Sequence, residues 1–316
     1  MVIVRNNNYK ISIIVCTYNR ADILEYCLDS LANQTVPRES YEIIVINNNS
    51  SDATQRLCDQ YAGIYSNLRV IFESLQGLSH ARNRGWYEAK TDWIAYIDDD
   101  AKAPSDYIER LFAVIQDYQF DCFGGVFLPW YKYGKPRWYK DEYATNRSTM
   151  KDTGILVSGY ASGGVIAMKR EVLSRLGGFP VHLGMTGNKI GYDEETVLQR
   201  KMRQAGYTIG FDPHLKIHHL VSENKMNISW FMKTAYASGT TSWQSLDMPI
   251  NGSNIIRFLV SAIYGPFKYL LINAPALFRE DYHIQNLCID VSQPIARSLG
   301  ALVGAFQHMR KNKRID

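Results

Sequence analysis

Trp93-Ile94-Ala95-Tyr96-Ile97-Asp98-Asp99-Asp100 is a short apolar, β-prone run that stops on three consecutive acids. A run of this length reads as a buried strand, which puts the acids at its carboxyl end, where open α/β sheets place ligand sites. Three carboxylates gathered there repel one another, a cost that a divalent cation would offset. Hard oxygen donors suit Mg²⁺ or Mn²⁺, ions that commonly bridge protein carboxylates to substrate phosphates. Taken alone, the same triplet also reads as a solvated acidic turn or a helix N-cap, since Asp caps helices well and Pro104 follows shortly.

On the amino-terminal side of this strand, Ile11 to Cys16 and Tyr41 to Ile46 are two further β-rich runs. Between them, Ile23, Leu24, Cys27, Leu28 and Leu31 recur at helical spacing over residues 21–33, which predicts a strand-helix-strand unit. Residues 52–62 repeat the helical pattern, 68–73 predict a third strand and 79–89 a third helix. Such alternation implies an α/β fold with a mostly parallel sheet flanked by helices. After Pro104 the rhythm breaks: 107–118 predicts a helix, 122–128 a strand, 165–168 a short strand, and 171–176 and 194–205 helices. Between them lies the aromatic, basic stretch 129–150, read as a lid or binding segment. From about Trp230 the composition shifts. Residues 254–278 are strongly apolar but interrupted by Arg257, Pro266, Lys268 and Pro275. They read as helices packed on the main domain, with a membrane-surface hairpin as the alternative.

The bulk numbers fit a globular protein with one large core or a core plus an appendage: 316 residues, 46% hydrophobic, 21% charged. A net charge of +4 is too small to argue for nucleic acid, and the only dense basic run is the closing Arg310-Lys311-Asn312-Lys313-Arg314. The five cysteines are odd in number, widely spaced and without a CxxC pair, which predicts reduced core thiols. The amino terminus carries no apolar signal-like region, so the expected localisation is cytoplasmic, with the inner face of the plasma membrane as its extension.

Three more segments join the acidic triplet: Ser12-Ile13-Ile14-Val15-Cys16-Thr17-Tyr18-Asn19-Arg20, Ile44-Val45-Ile46-Asn47-Asn48-Asn49-Ser50-Ser51-Asp52 and Gly77-Leu78-Ser79-His80-Ala81-Arg82-Asn83-Arg84-Gly85. In this order and spacing they resemble the family-2 glycosyltransferases of the GT-A fold, over roughly residues 10–225. The resemblance implies a catalytic domain over 1–228 and a C-terminal helical extension over 229–316. It implies nucleotide binding by Thr17, Tyr18, Asn19, Arg20, Asn47, Asn49, Arg82, Asp98 and Asp99. Asp98 and Asp100 fit the family's Asp-x-Asp motif and would hold Mg²⁺ or Mn²⁺, with His218 or His219 as an extra ligand or a hydrogen-bonded structural residue. Asn47 departs from the Asp usual there. An amide carbonyl can still accept the N3–H of uracil or thymine but lacks the carboxylate that suits guanine, which tilts the donor toward a UDP- or dTDP-sugar.

Asp193-Glu194-Glu195 precedes a helix whose Leu198, Met202 and Gly206 align with the family's acidic-pair helix, placing Glu195 as catalytic base. A register shift of one would choose Glu194, and a first-turn Glu also suits a helix N-terminus electrostatically. Gly163, Gly164 and Trp130 are the acceptor-side candidates. The reaction implied is inverting transfer of a sugar to an acceptor hydroxyl in polysaccharide or cell-envelope glycan synthesis, the acceptor being a glycan or lipid-linked. The competing readings are a nucleotidyltransferase, disfavoured because Thr17-Tyr18-Asn19-Arg20 contains no glycine, and a non-catalytic sugar-binding protein of the same fold.

Overall fold

The computed structural model describes residues 9–146, 150–187 and 189–312, so Lys313 and Arg314 of the basic tail lie outside the described residues. The chain forms two compact units, one comprising 1–130, 144–187 and 194–220, the other 131–143, 188–193 and 221–316.

The first unit opens with the expected alternation: β1 (Ile11–Thr17), α1 (Leu24–Ala32), β2 (Tyr41–Asn47), α2 (Thr54–Ile64), β3 (Leu68–Phe72), α3 (Leu78–Glu88) and β4 (Trp93–Asp98). It continues through β5 (Ala101–Lys102), α4 (Tyr107–Asp117), β6 (Cys122–Trp130), β7 (Gly154–Ile155), β8 (Val165–Lys169), α5 (Arg170–Leu176), α6 (Glu194–Gln204) and β9 (Ile209–Leu220). The strands form one sheet in the order β3-β2-β1-β4-β8-β6-β9-β5, with β7 paired to β9. The sheet is parallel from β3 to β4 and then becomes mixed, because β8 runs antiparallel to both β4 and β6. A parallel neighbour needs a crossover, and the β6–β8 connection contains no α-helix among the described residues. Neither β5 nor β7, at two residues each, is visible as a sequence pattern.

Both faces of the sheet are covered, so its central strands are continuous apolar runs with two destinations. Ile13, Val15, Ile43 and Val45 face Leu24, Leu28 and Leu111, whereas Ile14, Ile44 and Ile46 face Ala81, Leu198 and Met202. β9 slips register against β6 between Gly124 and Val126, and carries Pro213. Its far end then lies antiparallel to β5, at the carboxyl end of β4.

The second unit is built on α7 (Ile228–Ser245), α8 (Gly252–Asn273) and α9 (Ile284–Asn312). α7 and α9 approach backbone to backbone. A Cβ at Gly239 would overlap the Arg297 carbonyl, and a Cβ at Gly300 or Gly304 would overlap the carbonyls of Tyr236 or Thr240. The aromatic segment read as a lid supplies core instead. The rings of Trp138, Tyr139 and Tyr143 gather on Phe231 of α7 at 5.0–6.3 Å. Asn286 of α9, fully buried, donates to the Trp138 carbonyl at 2.8 Å and to the Tyr143 hydroxyl at 2.7 Å. Asp193, in left-handed backbone (φ 77°), accepts a hydrogen bond from the Thr241 hydroxyl of α7. α8 is apolar yet contains no buried residue, against the expectation of a packed helix. The cysteines are unpaired; Cys27, Cys58 and Cys122 are core thiols, Cys16 is half-buried and Cys288, against expectation, is exposed.

Candidate active site

Asp98 is the last residue of β4, and the chain turns through Asp99 and Asp100 into β5. The triplet is no helix cap, since α4 begins at Tyr107 with Asp106 in the N-cap position. β9 sets His219 opposite Ala101 and His218 opposite Lys102. Strand alternation sends the two imidazoles to opposite faces. His218 is exposed, whereas His219 Nε2 lies 3.1 Å from Asp100 Oδ1 and 3.7 Å from Asp98 Oδ2. One ligand atom from each of Asp98, Asp100 and His219 lies within 4.8 Å of the others. Two hard carboxylates suit Mg²⁺ or Mn²⁺, and the imidazole tilts the set toward the transition ion.

Asp99 turns the other way, toward Thr17 and Arg20 at the end of β1. Burial, and then the neighbouring Asp100, push its carboxyl up to about 7, while Arg20 and Thr17 pull against them. Burial opposes the charge on Arg20, but Asp99 and Asp100 outweigh it and hold the guanidinium ionised.

β1 and β2 end side by side at Thr17 and Asn47. Asn19 (φ 51°) donates its backbone N–H to Ser50 Oγ at 3.0 Å and accepts from Ser51 N–H at 2.8 Å, tying the two strand-end loops together. Asn47 donates to Gln55 Oε1 at 2.6 Å and accepts from Ser50 N–H at 3.0 Å, leaving its carbonyl oxygen one lone pair for a ligand. Asn49 (φ 62°) is exposed and Tyr18 half-buried. The sequence reading missed Asn48. It donates to the Leu75 carbonyl at 2.7 Å and accepts from Gly77 N–H at 2.8 Å, which clasps the connection from β3 to α3. Its partners lie 27 to 29 residues downstream, so no local pattern singles it out.

Arg82 of α3 is 4% exposed and connects the two acidic groups of the site. Its Nη1 lies 2.6 Å from Glu194 Oε1 and its Nη2 3.8 Å from Asp98 Oδ1. The Phe179 ring lies 5.4 Å from the guanidinium. Burial disfavours its charge, but Glu194, Glu195 and Asp98 together raise its basicity. Glu194, itself buried, has its carboxyl pushed up to about 8 by burial and then by Glu195, with Arg82 opposing. Glu195, one position on, is half-buried, and its carboxylate makes no hydrogen bond or ion pair among the described residues. Asn83 is a structural brace, exchanging hydrogen bonds of 2.8 Å with the backbone N–H and carbonyl of Phe179.

The two glycines assigned to the acceptor side make room for the site itself. A Cβ at Gly163 would press on the Arg82 guanidinium, and one at Gly164 would overlap the Asp98 carboxylate. Trp130, at the end of β6, points Nε1 at the Asp100 carbonyl at 3.4 Å, and Lys102 Nζ sits 3.7 Å from its ring centroid. It therefore backs the acidic turn.

A sequence profile described as glycosyl transferase family 2 matches residues 12–177. Glycosyltransferase AglE of Haloferax volcanii is 28% identical over 202 residues, covering 64% of each chain, so the match spans less than two thirds of that relative's length. Succinoglycan biosynthesis protein ExoM of Rhizobium meliloti is 26% identical over 239 residues, covering 75% of each. Among solved structures, mannosyltransferase PcManGT of Pyrobaculum calidifontis, in complex with GDP-Man and Mn²⁺, superposes with a TM-score of 0.63 at 20% identity, covering 94% of this chain and 88% of that one. That likeness establishes the GT-A fold. Since the profile runs from β1 through the acidic turn to α5, over more than half of the sequence, the chain belongs to glycosyl transferase family 2.

Proposed function

We propose that the enzyme moves a sugar from a UDP- or dTDP-sugar, with inversion, to an acceptor hydroxyl of a polysaccharide or cell-envelope glycan met at the cytoplasmic face of a membrane. The observation that carries this reading is the bridge through Arg82, which ties the helix bearing Glu194 and Glu195 to Asp98 of the cation-ligand trio. Asp98, Asp100 and His219 would hold Mg²⁺ or Mn²⁺, which neutralises charge developing on a diphosphate leaving group. Glu194 is held by Arg82 and anchors the helix. Glu195, which no described residue pairs through its carboxylate, removes the acceptor proton. Attack from the face opposite the departing diphosphate gives inversion. Thr17, Tyr18, Asn19, Arg20, Asn47 and Asn49 line the strand ends on the nucleotide side, and the Asn47 carbonyl suits a pyrimidine N3–H. A GDP-sugar, the nucleotide class bound by PcManGT, is the competing donor.

The test is nucleoside diphosphate release from a panel of nucleotide sugars with Mn²⁺ and an acceptor extract, for wild type, Asp100→Ala and Glu195→Gln. Metal-dependent release from one donor, lost in both variants, is expected. Neither release nor nucleotide binding with any donor would sink the proposal.

A further inference from the structure

An 18-residue window within Gly252–Phe278 has a mean hydropathy of 1.5, yet no residue of α8 is buried. At 3.6 residues per turn, Ile256, Val260, Ile263, Phe267, Leu270 and Leu271 fall within an arc of roughly 100°. These six side chains are 43–77% exposed. The opposite side of α8 is the one held by protein. Gly265 lies against Pro294 of α9, the Phe258 ring is 5.2 Å from that of Trp243, and Asn273 donates to Asp290 at 2.9 Å. The helix thus turns a broad apolar arc away from its own unit, the reverse of a soluble protein's surface helix. Charge is arranged to match. No Asp or Glu occurs from 252 to 278, Arg257 and Lys268 follow each other along one rim of the apolar arc, and Arg279 comes next.

We propose that α8 lies in the plane of an anionic lipid bilayer, its apolar arc at the acyl boundary and Arg257 and Lys268 at the phosphates. The inference rests on the reading that the acceptor is met at a membrane. Long basic side chains lay their stems along apolar surface and keep their charge at the headgroups, and each adds attraction to anionic lipid. A spanning orientation would draw Asp290 and Arg297 of the attached α9 into hydrocarbon, which is far costlier. A second copy stacked on the same arc would set one cation-rimmed face against another with no acid on either helix to pair them.

The experiment is flotation of the full chain, without donor, on phosphatidylcholine vesicles with and without phosphatidylglycerol, for wild type, Ile263→Asn/Phe267→Asn and Arg257→Gln/Lys268→Gln. Wild type should float with the anionic vesicles and be released by alkaline carbonate. The apolar double variant should lose at least about tenfold in binding, and the charge variant about fivefold per residue on anionic vesicles. Unchanged thermal unfolding of the variants confirms the fold, and unchanged nucleoside diphosphate release keeps this result separate from the donor assignment. No flotation, flotation indifferent to the apolar substitutions, or retention through carbonate would overturn the in-plane placement. A dimer by light scattering, broken by the apolar variant without lipid, would overturn it in favour of a second copy.

Discussion

In the sheet unit the most apolar segments, Ile11–Thr17 and Tyr41–Asn47, are sealed between two layers of side chains, whereas in the helical unit the most apolar segment, α8, has no buried residue. The same kind of residue therefore reports opposite things. In the first unit it marks a core stiff enough to hold Asp98, Asp99 and Asp100 together at one strand end despite their repulsion. In the second it marks an outer face, and cohesion comes from glycines that let α7 and α9 touch through their backbones and from the aromatic cluster on Phe231. The two proposals place chemistry and attachment in different units, a division that experiment can break or sharpen.

The largest effect is expected at the acidic turn. Asp100→Ala should lower turnover about 10³-fold, or roughly 4 kcal/mol in the barrier, while leaving vesicle binding intact; a parallel loss of vesicle binding would erase the distinction between the units. Arg82→Met leaves the buried Glu194 carboxyl without its 2.6 Å partner and should cost about 1–3 kcal/mol of stability in denaturant titration, partly restored by adding Glu194→Met. Gly300→Val forces a branched side chain onto the Tyr236 carbonyl and should cost about 1–3 kcal/mol, with nucleotide binding preserved. If nucleotide binding falls in step with the helical unit, the two are not energetically separate. A pH dependence is expected as well. Folded Glu194 keeps a proton that the unfolded chain gives up near the ordinary Glu value of 4.5, so the folded state binds more protons up to about 8. Stability should fall as pH rises across that window, and Glu194→Gln should flatten the slope of melting temperature against pH.

The sequence alone made the strand-helix alternation up to β4 legible, because a sheet covered on both faces writes its strands as unbroken apolar runs. It made the acidic turn and the acidic pair legible too. What it withheld depends on distant residues. Alternation demanded that only one of His218 and His219 face the acids, but the choice rests on how β9 slips past β6 and meets β5. Glu194 and Glu195 differ through Arg82, more than a hundred residues upstream, which takes one and leaves the other. Gly163 and Gly164 resemble ordinary turn glycines until Arg82 and Asp98 are seen against them. The aromatic stretch looked like a lid because its partners, Phe231 and Asn286, lie far along the chain.

Arg82 also makes the two ends of the site reciprocal. One guanidinium is shared unequally, 2.6 Å from Glu194 and 3.8 Å from Asp98, and it cannot lean on both at full strength. A dication arriving beside Asp98 would repel it toward Glu194 and tighten the anchor of α6. By linkage, a firm anchor must then favour the dication by the same free energy. We expect Glu194→Gln to free Arg82 to compete for Asp98 and to weaken Mn²⁺ binding in calorimetry. Unaltered affinity would show that the two ends are only neighbours. In that sense cation binding beside Asp98 and the anchoring of Glu194 would form one thermodynamic variable, carried by a single side chain.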